Sequence, residues 1–165
     1  MSEERSASLA RTAIWVACVA GLLHAASSLY WAFGGRWLLP TVGQWAVEAL
    51  EESPLEAGLL LGGIGVVKAL AALIPLAVAY GRMPGARFWR AVCAIGGVVL
   101  ILYGGANVVV SGAVLLGLVR PEGGYDRQAM IGHALLWDPL FLVWGLALIA
   151  WLRLSAVHNS GRTAA

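Results

Sequence analysis

Lysine is nearly absent from this chain: of its eleven Lys and Arg side chains, Lys68 alone is a lysine. Charge of either sign is scarce, at 12% of residues against 60% hydrophobic, and the mean hydropathy is +0.80. No soluble domain of 165 residues has a core large enough to hide that much apolar surface. Cysteine is limited to Cys18 and Cys93, with no C-x-x-C spacing, which excludes a disulfide framework and a paired-thiol, quinone-coupled oxidoreductase. Both are expected to be small packing residues. The three histidines, His24, His133 and His158, share no ligand spacing with one another or with Asp138, so neither a metal site nor haem or another cofactor is expected. The net charge of +2 and the lack of a basic stripe argue against nucleic acid as a partner.

The few charges are segregated. Arg11 to Arg36 and Arg90 to Arg120 enclose uncharged stretches, and the stretches from Glu56 to Arg82 and Arg127 to Arg153 each enclose one charge, Lys68 and Asp138. Each is longer than the ~20 residues a helix needs to cross a bilayer. Strand spans are excluded by this length and by the absence of sustained alternation. The expectation is a single membrane domain over 1–165, an all-α polytopic four-helix bundle with spans near 12–34, 57–80, 91–118 and 132–152. The first span resembles a secretory signal in following a short polar segment. That segment is charge-balanced, and His24 interrupts the apolar run, so a retained helix is expected.

Arginine placement sets the orientation. Arg5, Arg11, Arg82, Arg87, Arg90, Arg153 and Arg162 fall at the termini and in the second loop, whereas the first and third loops hold Arg36, Arg120 and Arg127 beside most of the acids. The positive-inside rule then puts both termini in the cytoplasm. Trp15, Trp89 and Trp151 fall at inner boundaries and Trp31, Trp37 and Trp45 at the outer one, as expected of aromatic belts.

Within the first outer loop, Val42, Trp45, Ala46, Ala49 and Leu50 recur at helical spacing while Gln44, Glu48, Glu51 and Glu52 take the opposite face. This predicts a short amphipathic interfacial helix over 41–52, either an anchor on the bundle or a lid over an outward-opening cavity.

A charge at the depth of Lys68 costs roughly 3 kcal/mol on insertion scales, so it calls for a partner, water or a ligand. Depth counting puts other polar side chains nearby: His24 and Ser28 in the first span with Trp31 beyond them, Asn107 and Ser111 in the third, and Trp137 and Asp138 in the fourth. Gly97, Gly104 and Ser111 repeat every seven residues, a small-residue stripe that is expected to face the bundle. Lys68 is ~7 Å deeper than Asp138 by residue count, within the reach of a lysine stem, so depth allows an ion pair between them. Pro139 and Pro75 each remove a backbone donor inside a span, which predicts kinks and freed carbonyls at Leu135 and Ala71.

The run His24 to Arg36, with Tyr30-Trp31-Ala32-Phe33-Gly34-Gly35, and the later Trp137-Asp138-Pro139-Leu140-Phe141-Leu142 resemble proteins grouped as domain of unknown function 3995. The resemblance implies a small multi-pass bacterial membrane protein and carries no activity with it. Arginine in place of lysine also fits a GC-rich bacterial genome.

Three function classes follow. The first is a protein that binds an amphipathic or lipid-like small molecule, its anionic or carbonyl head at Lys68, in an outward-facing pocket that includes Asp138, His24, Asn107, Trp31, Ser28, Ser111 and Trp137. The second is a membrane enzyme in which His24 and Asp138 carry protons and Lys68 stabilises negative charge on a lipid or isoprenoid substrate. The third is an accessory subunit in which Lys68 and Asp138 merely neutralise each other. Glycine pairs such as Gly62-Gly63 and Gly104-Gly105 are compatible with packing within one chain or with a homo-oligomer.

Overall fold

A computed structural model describes residues 3–162, with side chains over 4–156. The side chains of His158 and Arg162 therefore lie outside the described part. All regular structure among the described residues is helical. Helix α1 is Glu3–Ala32, α2 is Gln44–Glu52, α3 is Pro54–Ala79, α4 is Ala86–Leu115, α5 is Arg127–Gly132 and α6 is Asp138–Arg162. A 3₁₀ turn, Leu39–Thr41, precedes α2, and a π-helical turn, His133–Trp137, joins α5 to α6. Four stretches are long and apolar enough to cross a membrane: Glu4–Ala32, Pro54–Ala79, Ala86–Leu115 and Arg127–Ala156. This is an all-α, four-span membrane protein. The start of α1 and the end of α6 lie at one end of the bundle, here the termini end, and α2 and α5 close the other, the loop end.

Small residues decide which helices meet. Helix α1 lies between α3 and α6, and α6 between α1 and α4. Ala17, Ala20, Gly21 and Ala25 give α1 a narrow profile, so neighbours approach from two sides. The Trp144 ring and Ala72 sit over Gly21, where a Cβ would come within 2.7 Å of either. Gly97 and Gly145 do the same for α4 and α6: a Cβ on Gly145 would lie 2.6 Å from the Gly97 carbonyl oxygen. Gly97, Gly104 and Ser111 are all buried, the placement predicted for that stripe. The consecutive helices α3 and α4, by contrast, scarcely touch beyond the turn that joins them. A cleft is left between them.

Two apolar clusters hold the fold. One, toward the termini end, is built on Ile14, Ala17, Ala72, Trp144, Leu148 and Trp151 and includes Cys93, one of the two buried free cysteines. The other, at the loop end, joins Trp31, Leu39, Ala46, Leu50, Leu61 and Trp137. Trp31 and Trp151, expected in aromatic belts, are core residues instead, while Trp15, Trp37 and Trp45 are exposed.

The amphipathic helix expected over 41–52 begins at Gln44, because Leu39–Thr41 is wound as a 3₁₀ turn and Gly43, at φ 139°, breaks the chain between them. Ala46 and Leu50 face inward, whereas Trp45 stands out from the apolar face predicted for it. The loop is tied down from the far end of the chain: Asp126 caps α5 through Ala129 N at 3.0 Å and also accepts from Gln44 N at 2.9 Å. Gly132 is in contact with the Thr41 backbone, which occupies the space a side chain would need.

Helix α3 is continuous across Pro75. At Pro139 the outcome is a change of winding: the turn before it widens to π geometry. Wide turns of this kind shift the phase of the side chains around them.

Candidate functional site

Lys68, on α3, sits at the head of the cleft between α3 and α4. The cleft encloses about 320 Å³ and is lined almost wholly by apolar groups, with Pro75, Val92, Cys93, Phe141, Trp144 and Leu148 among them. Its volume is at the small end of the range for sites that hold a small molecule. Lys68 Nζ donates to Ser28 Oγ at 3.1 Å and lies 5.5 Å from the centroid of the Phe141 ring. Ser28 is 1% exposed, so this contact is made inside the bundle. A hydroxyl and a ring face are neutral partners, and among the described residues no carboxylate lies within ion-pair distance of the ammonium.

Asp138 does not supply the counter-charge that its depth allowed. Its Oδ2 is 2.6 Å from His133 Nδ1, and Asn107 Nδ2 donates to Oδ1 across a longer 3.4 Å. His133 Nε2 faces the Val42 carbonyl at 3.3 Å, and a carbonyl only accepts, so that nitrogen carries a hydrogen. One proton is then shared between Nδ1 and Oδ2, as imidazolium with carboxylate or as imidazole with carboxylic acid. The carboxyl is 1% exposed and the imidazole 27%, which puts the pair just inside the loop end.

His133 is five residues from Asp138, which is not a helical neighbour spacing, so the sequence alone does not pair them. The π turn between them supplies the contact. Pro139 is the one signal of it in the sequence, and it marks a change of phase rather than the kink expected there.

The remaining expected site residues divide between these two places. His24 Nε2 donates to the Trp137 carbonyl at 2.9 Å, and its ring stacks on Phe141 with centroids 3.8 Å apart. Phe141 thus touches both His24 and Lys68, a contact the sequence reading did not single out. Trp31 Nε1 donates to the Trp37 carbonyl at 2.9 Å, and Trp137 Nε1 to Thr41 Oγ1 at 3.0 Å. Both indole donors are therefore engaged by the first loop. Ser111 is buried on the α4 face that carries Asn107.

One outward pocket shared by Lys68 and Asp138 is thus not what the chain forms. The Lys68 cleft extends from mid-span toward the termini end, past Pro75 and Trp89, while Asp138 faces the loop end with His133. The acid/base arrangement imagined for Lys68, His24 and Asp138 needs a wet cavity common to all three. The cleft is dry in character, and neither His24 nor Asp138 lines it.

The family model described as "Protein of unknown function (DUF3995)" matches residues 5–148. The chain belongs to that family. No curated protein and no solved structure matches it. The matched stretch of this DUF3995 chain reaches into all four spans and contains every residue that lines the cleft and both members of the His133–Asp138 pair.

Proposed function

We propose that this protein binds an amphipathic, lipid-like small molecule in the cleft between α3 and α4, with an anionic or carbonyl head at Lys68. The apolar body of the ligand lies against Pro75, Val92, Trp144 and Leu148 and enters sideways from the bilayer, where α3 and α4 leave their edges apart. The observation that carries this reading is the state of Lys68: a cation in a membrane span whose partners are a hydroxyl and a ring, while the intramembrane carboxylate is bonded to histidine. An intramembrane charge of that kind marks a substrate or ligand path more often than a structural contact. A ligand anion is the missing counter-charge. With the termini in the cytoplasm of a bacterial cell, as arginine placement favours, the cleft occupies the inner half of the membrane.

The test is native mass spectrometry with lipid analysis on purified wild type, Lys68→Ala and Lys68→Met. A lipid-like species that accompanies the wild type and is lost from both variants supports the reading. Identical bound species in all three remove its basis.

A further inference from the structure

A second hollow, shallower and about 640 Å³ in volume, runs along the membrane face of α1 between Tyr80, at the end of α3, and Leu140 and Val143 of α6. Its polar members, Ser8, Arg11 and Thr12, all lie at the termini end, and Val16, Val19 and Leu23 continue it along one stripe of α1. From Arg11 to Leu23 the helix rises ~18 Å, against ~15 Å for the hydrocarbon depth of one leaflet. The gradient from polar to apolar therefore runs in the direction, and over the distance, of a phospholipid in that leaflet.

Two donors stand at the polar end. Trp15 Nε1 donates to the Tyr80 hydroxyl oxygen at 3.1 Å, so the hydrogen of Tyr80 is directed elsewhere. Arg11 has no carboxylate within ion-pair distance among the described residues. The groove lining contains no acid, so the ammonium of a zwitterionic head would find no partner there.

We propose that this groove holds one acyl chain of an anionic phospholipid, whose phosphate accepts hydrogen bonds from the Arg11 guanidinium and the Tyr80 hydroxyl. A planar guanidinium suits a phosphate because it offers two parallel donors. The site is independent of Lys68 and lies on a different face of the bundle.

The test uses full-length protein exchanged into nanodiscs containing equal amounts of phosphatidylglycerol and phosphatidylethanolamine, released and weighed by native mass spectrometry. Wild type is expected to retain the anionic lipid about fivefold over the zwitterionic one, falling to parity in Arg11→Gln. Tyr80→Phe keeps the ring and lowers the preference in part, and Val19→Trp fills the groove and lowers retention of both lipids. Lys68→Met leaves the preference unchanged, so failure here and failure of the cleft reading are separately visible. Equal retention of the two lipids by folded wild type, or a preference that survives Arg11→Gln, overturns the proposal.

Discussion

His133 Nδ1 lies 2.6 Å from Asp138 Oδ2 across the π turn that joins α5 to α6. The second nitrogen of the same ring reaches Val42, so the pair ties the fourth span to the first loop. Removing His133 leaves a carboxyl that is 1% exposed with only the 3.4 Å contact to Asn107. His133→Ala is expected to destabilise the protein by about 2–3 kcal/mol, below the usual cost of breaking a fully buried pair because the imidazole is partly exposed. Replacing both members by leucine should recover most of that loss. A double-mutant cycle on denaturation in micelles measures it, and strict additivity of the two single changes would mean that the pair carries no coupling.

How much of this was legible beforehand depends on the residue. The four spans follow from the long gaps between charges, and the burial of Gly97, Gly104 and Ser111 follows from a seven-residue period. The partner of Asp138 does not follow from either. Residues five apart on an ideal helix point ~140° away from each other, and only a widened turn brings His133 round to Asp138. Depth counting put Lys68 within reach of Asp138 but held no information on which way each faces around its helix. Nor does chain order reveal that α3 and α4, joined by a short turn, stand apart and leave Lys68 at the head of a cleft.

Lys68→Met tests whether the lysine is kept for stability. With Ser28 and the Phe141 ring as its partners, the ammonium has no counter-charge among the described residues to offset the roughly 3 kcal/mol that insertion scales assign to it. Methionine has similar length and no charge to desolvate, so delipidated Lys68→Met is expected to unfold at a temperature equal to or above that of wild type. A clear fall would make the Lys68–Ser28 contact a structural one.

The glycines of α4 and α6 give opposite predictions according to what a Cβ would meet at each. A Cβ on Gly104 would lie 2.6 Å from the Asp138 carbonyl oxygen and 3.0 Å from Leu142 N, and backbone cannot swing aside as a side-chain tip can. Gly104→Ala and Gly145→Ala should push α4 and α6 apart at a cost of about 1–3 kcal/mol. Gly96 and Gly112 have open space where a Cβ would go, so Gly96→Ala and Gly112→Ala should be neutral or slightly stabilising through helix propensity. Thermal unfolding of the four variants in one detergent separates the two classes. If all four behave alike, the close approach of α4 to α6 is not made through these positions.

Asp126 holds the starts of two helices with one carboxylate, accepting from Ala129 N at the head of α5 and from Gln44 N at the head of α2. Removing a cap of this kind costs about 1 kcal/mol, and here two helix starts depend on the same side chain. Asp126→Ala should therefore speed amide exchange in both α2 and α5. It should leave exchange in the buried spans unchanged, since the Asp126 contacts lie outside both apolar clusters. Asp126→Asn keeps one acceptor oxygen, which can serve only one of the two amides, so one helix should stay protected while the other loosens. Hydrogen exchange followed by mass spectrometry resolves the two segments. Faster exchange confined to α5 in Asp126→Ala would show that α2 is held by Ala46 and Leu50 alone, without the tie from the third loop.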